Sequence, residues 1–79
     1  ADAEIIEAEV LSTSPLAGKK INEIDFPEGV LIGAVRKGSE TMRPVGRTRI
    51  DEGDVIAIFA LAKDVPEVER LMQVSIDFF

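Results

Sequence analysis

The stretch "VLIGAVRKG", residues 30–38, sets the architecture of this 79-residue chain. Small and apolar residues run unbroken from Val30 to Val35, and the cations Arg36 and Lys37 then end the run before Gly38. Such a run reads as a strand with apolar side chains on both faces, and a strand of that kind is central or is covered by a second layer or a partner chain. Gly38 and Ser39 make the turn that follows. "ETMRPVG", residues 40–46, is a weaker strand, and Pro44 confines it to a sheet edge or a bulge, because proline has no amide hydrogen for a ladder. Simple alternation along the first strand places Arg36 on a face with Val30, Ile32 and Ala34, and Lys37 opposite, with Leu31, Gly33 and Val35. On that basis Lys37 is solvated, and Arg36 is an ion-pair partner first and a ligand contact second.

The flanking segments complete the pattern. "IIEAEVL", residues 5–11, alternates Ile6, Ala8 and Val10 against Glu7 and Glu9, the period of a half-buried strand. "STSPLAGKKINEI", residues 12–24, predicts a short helix, with Ser14 as N-cap, Pro15 in the first turn, and Leu16, Ile21 and Ile24 on one face. "DVIAIFALA", residues 54–62, is the strongest strand. Asp64 and Glu67 have capping-box spacing around Pro66 and predict a last helix, with Val65, Val68, Leu71 and Met72 turned inward. Phe78 and Phe79 predict packing of the chain's end on some other surface. The predicted fold is α+β in the order β-α-β-β-β-α, a mostly antiparallel sheet of about four strands with two helices, in one domain over residues 1–79.

Composition excludes whole classes of chemistry. Cysteine and histidine are both absent, which removes disulfides, thiol catalysis, the usual general base and the commonest metal ligand. No serine has a recognisable activating partner, so an enzyme is not expected. The formal net charge is -6 and only four aromatic residues are present, all phenylalanine. That is a poor balance for nucleic acid, where phosphate contacts dominate affinity. No apolar run reaches the length of a membrane span, and no signal peptide is visible.

Charge is nevertheless uneven. Residues 36–49 sum to +4 and the remainder to -10. One reading of this basic window is an anion or nucleotide site at Arg36. The favoured one is pairing with the domain's own carboxylates or with a partner's acidic face. "DEGD", with Asp51, Glu52 and Asp54, could be a hard-cation site, but it lacks the spacing of a calcium loop. It reads better as a turn with Gly53 at positive φ. "GAVRKG" has neither glycine spacing of a phosphate loop, so no dinucleotide fold is expected in this chain.

Taken in order, "SPLAGKKINEI", "VLIGAVRKG" and "TRIDEGDVIAIFA" resemble the TrkA-C domain, also called the RCK C-terminal domain, over almost the whole chain. "DVPEVERLMQVSIDFF" is similar to the terminus of a potassium-uptake regulator of that family, and "ADAEIIEAEV" fits the start of its second such domain. The resemblance implies a homodimeric regulatory domain in a cytoplasmic subunit, peripheral at the inner membrane face. Its partner there would be a membrane-embedded potassium transporter. NAD and adenine nucleotides would bind separate Rossmann-like domains of the same chain, and no cofactor is expected in this one. In related proteins the paired domains hold a regulatory ligand such as cyclic di-AMP between subunits. The matching positions are Val30, Leu31, Ile32 and Arg36.

Overall fold

A computed structural model describes residues 2–72. Four strands form one antiparallel sheet in the order β1-β6-β3-β4: β1 (Ala3–Glu9), β3 (Val30–Lys37), β4 (Glu40–Met42) and β6 (Val55–Leu61). Two short strands, β2 (Lys19–Lys20) and β5 (Arg49–Ile50), pair separately. The helix α1 (Val65–Met72) follows β6 through a 3₁₀ turn at Ala62–Asp64.

The two apolar runs are the central strands and β4 is an edge strand, as the sequence predicts. β4 stops at Met42, two residues short of Pro44. One face of the sheet carries the core. Ile56, Ile58 and Ala60 of β6, together with Val30, Ile32 and Val35 of β3, pack with Val10, Leu16, Ile50, Val68 and Met72. Val65 and Leu71 add the rest of the inward stripe of α1. For aliphatic side chains of this size, full burial contributes about 1.5–3 kcal/mol each.

The predicted first helix is absent, and its place is taken by a chain of turns. Ser14 accepts the Leu16 amide on its Oγ at 3.1 Å, and the Ala17 amide bonds the Ser14 carbonyl at 3.1 Å. Gly18 then adopts φ 84, a left-handed value that stops helical growth. The backbone pairs instead with β5, beginning with Gly18 N–H to the Ile50 carbonyl at 2.7 Å. A single 3₁₀ turn at Ile21–Glu23 survives, closed by the Glu23 carboxylate accepting the Lys20 amide at 2.8 Å. Leu16 still reaches the core, with Ile21 and Ile24 half-buried beside it. The Ser14 hydroxyl donates to the Leu71 carbonyl at 2.9 Å, tying these turns to the end of α1.

The capping box predicted for α1 also takes another form. Glu67 pairs with Arg70 one turn on. Asp64 Oδ2 is buried without a hydrogen bond among the described residues, 3.6 Å from Lys63 Nζ. It occupies space left by Gly29, where a Cβ would collide with it and come within 2.8 Å of Leu61 Cδ1. Phe78 and Phe79 lie outside the described residues.

Candidate functional site

A β-bulge at Gly33 decides which side chains of β3 meet solvent. Ile32 is opposite Ile58 and Ala34 is opposite Ala57, so two residues on β6 span three on β3 and Gly33 has no partner. One extra residue reverses the side-chain alternation beyond it. Val30 and Ile32 face the core before the bulge, and Val35 and Lys37 face the same way after it. Leu31 and Arg36 point to the other face. Simple alternation through Gly33 therefore fails. Arg36 does not share a face with Val30 and Ile32, and Lys37 is not the solvated cation.

The Lys37 ammonium reaches the far end of the core layer, where the turn 51–54 meets it. It donates to Asp51 Oδ2 at 2.9 Å and also to Asp54 Oδ2. Asp54 is 6% exposed and accepts the Asp51 amide at 2.8 Å as well. Gly53, at φ 89, sends its N–H to the Val10 carbonyl at 2.8 Å and so fastens the turn to the end of β1. Partial burial lowers the affinity of Lys37 for its proton, but the hydrogen bonds to Asp54 and Asp51 and their charges outweigh it. Its pKa lies above the ordinary 10.5. "DEGD" is thus a turn with an internal countercharge. Among the described residues, no group of three or more acidic side chains is placed to hold a metal ion.

The opposite face of the sheet is open and lacks a covering layer among the described residues. Ile5, Phe59 and Leu31 stand in one row across β1, β6 and β3, at 74%, 45% and 61% exposure. The Phe59 ring lies over Gly33, with Cζ 3.3 Å from where a Cβ would be. The next rows are Glu7–Ala57–Ala34 and Glu9–Val55–Arg36, with Thr41 of β4 beside Arg36. A shallow cleft of about 90 Å³ lies between them, lined by Glu7, Ala34, Arg36, Thr41, Val55 and Ala57. A larger one of about 330 Å³ lies at Asp2, Leu61, Ala62 and Lys63.

The four positions expected to touch a ligand are thus divided. Leu31 and Arg36 share the open face, separated by roughly 13 Å of strand, while Val30 and Ile32 lie behind them in the core. The basic window is dispersed as well. Lys37 is neutralised internally, Arg49 donates to the Gly18 carbonyl at 3.1 Å, and Arg43 and Arg47 are exposed elsewhere. Composition alone could not place Lys37 or the open row. A lone glycine within a strand pattern was the available sign of the bulge.

These features define a small α+β domain with an open apolar sheet face and no assembled catalytic group among the described residues. The family model of the TrkA-C domain matches residues 5–73, and the chain belongs to that family. It is 47% identical over 76 residues to a Trk system potassium uptake protein TrkA from Azorhizobium caulinodans, covering 96% of this chain and 17% of the relative. The TrkA of Haemophilus influenzae is 38% identical over 76 residues, with 95% and 17% covered. The chain therefore spans about a sixth of the length of these relatives. A solved structure described as an RCK domain with cda superposes with a TM-score of 0.74 at 16% identity, covering 86% of this chain and 96% of that one. No helix among the described residues is long and apolar enough to cross a membrane.

Proposed function

We propose that this chain is a regulatory and dimerisation domain, the last TrkA-C domain of a cytoplasmic TrkA-type subunit that controls a membrane-embedded potassium transporter. The observation that carries this reading is the 47% identity to a TrkA protein along 96% of the chain. One domain over residues 1–79 then supplies no chemistry of its own. It acts by changing its position against the Rossmann-like domains of the same protein, which would bind NAD and adenine nucleotides.

The finer reading is that two copies pair and sense a small anionic ligand between them. Arg36 supplies the charge and Leu31 the apolar contact, with Val30 and Ile32 supporting both from the core side of β3. The accessible guanidinium beside the cleft at Thr41 and Ala57 supports it. The same site would serve a nucleotide-sensing domain of another cation transporter or channel. Calorimetry with cyclic di-AMP and with ATP tests it. Saturable heat that falls at least tenfold in affinity with Arg36→Ala is the expected result, and no heat with either nucleotide leaves only the dimerisation role.

A further inference from the structure

We infer that the β2–β5 ribbon, with the loop that leads into β5, is a docking surface for an anionic phospholipid layer. The basic window comes apart in the fold, and part of it regroups with two cations from far along the chain. Lys20 stands directly opposite Arg49, and Lys19 opposite Ile50. Ile21 N–H to the Thr48 carbonyl at 2.9 Å and Asn22 N–H to the Gly46 carbonyl at 2.8 Å carry the pairing on beyond β5. Ile50 is fully buried, so alternation sends Arg49 and Arg47 outward, on the side of Lys20. These three cations therefore gather within roughly 10 Å, about one Debye length. Lys19 is exposed next to Lys20, and Arg43 is exposed at the start of the loop.

None of these five cations forms an ion pair with a described residue. Arg49 gives one donor to the Gly18 carbonyl and keeps the rest of its guanidinium free. Glu23, the nearest acid in sequence, has its Oε1 on the Lys20 amide. Like charges directly opposite weaken a strand pair, and the chain leaves them so although its acidic residues number fifteen against nine cations. An anion from outside the domain relieves that repulsion. None of the five lines either cleft described above. They spread over an exposed ribbon rather than converge on a small ligand, which takes a concave site. Val45 is 55% exposed between Arg43 and Arg47. Cations around an exposed apolar side chain suit a segment resting at headgroup level, where each Lys or Arg attracts anionic lipid. The net charge of -6 does not oppose this. The domain measures 29 × 26 × 22 Å, more than twice the screening length of about 8 Å at physiological salt, so acids on the far side are screened from the layer. The choice of a lipid layer over an acidic protein face rests on the reading above that this chain serves a membrane-embedded transporter.

The test is co-sedimentation of the chain with lipid vesicles, which hold no transporter and so read the ribbon alone. Vesicles with about 30% phosphatidylglycerol should bind it at about 0.1 M salt, and binding should weaken about tenfold or more at about 0.5 M. Pure phosphatidylcholine vesicles should not bind it. Lys20→Ala and Arg47→Ala, each checked for its fold by circular dichroism, should each weaken binding about fivefold, and together about twentyfold. Lys63→Ala removes an equally exposed charge from the turn after β6, and should stay within about twofold of wild type. An equal loss with Lys63→Ala, or equal binding to phosphatidylcholine, overturns the ribbon as the docking surface. No binding to either vesicle overturns the lipid occupant, as does retention on immobilised polyglutamate alone, which would assign the ribbon to an acidic protein face. None of these failures touches ligand sensing at Arg36, which calorimetry reads separately.

Discussion

Replacing Lys37 by methionine keeps the aliphatic stem against the core layer and removes only the ammonium. Asp54, with its side chain 8% exposed, then loses its countercharge, while Asp51, at 51%, is released to water. Hydrogen bonds to charged groups contribute about 1.5–3 kcal/mol when the partner is buried. The Asp51 arm adds at most a few tenths because solvent screens it. Asp54 keeps its bond from the Asp51 amide, so the expected loss is about 1.5–2 kcal/mol, or roughly 6–15 °C in melting temperature for a domain of this size. Urea denaturation at one fixed protein concentration is the assay, because the apparent stability of an associating chain depends on concentration. A double-mutant cycle of Lys37→Met with Asp54→Asn should show a coupling of about 1–2 kcal/mol. The parallel cycle of Arg36→Met with Asp54→Asn should be additive to within about 0.5 kcal/mol. Coupling to Arg36 and none to Lys37 would mean that β3 alternates unbroken through Gly33, and the placement of both cations would be refuted.

The same pair gives a pH dependence. Because the folded pKa of Lys37 is raised above 10.5, its stabilisation is fully present below that value and is lost as pH rises through the folded pKa. The stability difference between wild type and Lys37→Met should stay constant from about pH 7 to 10 and shrink above, as urea titrations at each pH will show. Ser14→Ala removes a hydroxyl that bonds both Leu71 and Leu16, and thermal melts should record a loss of about 1–2 kcal/mol. Gly29→Ala forces a Cβ onto Asp64 and Leu61. Chemical denaturation should give a loss of about 1–3 kcal/mol, partly relieved in Gly29→Ala/Asp64→Ala.

Periodicity was enough for the elements that bury a full face. Residues 55–62 carry apolar side chains at every position, and only a central strand satisfies them. Val65, Val68, Leu71 and Met72 recur at helical spacing and pack as expected. Residues 12–24 misled because Ser14 and Pro15 are equally good at opening a turn. The deciding interaction, Gly18 with Ile50, is 32 positions apart in the chain. The candidate site was obscured by one residue. Gly33 has no side chain to report its face, and its bulge moved Arg36 onto the open face and Lys37 to Asp54. The open row itself was foreshadowed, since strands apolar on both sides demand a second cover. What the order of residues along one chain lacks is the cross-strand register that aligns Ile5, Phe59 and Leu31.

Two copies that hold a ligand between them at Leu31 and Arg36, as proposed above, would pair across the open sheet face. Ala57 lies in the middle of β6 on that face, opposite Glu7 and Ala34, and the chain has no cysteine to interfere. Stacked sheets lie about 10 Å apart, so a bifunctional maleimide of about that length should join two Ala57→Cys chains into a covalent dimer. Lys20→Cys, exposed on β2, should remain a single chain under the same conditions. Efficient linkage through Lys20→Cys with none through Ala57→Cys, in a protein that sediments as a dimer, would contradict the account.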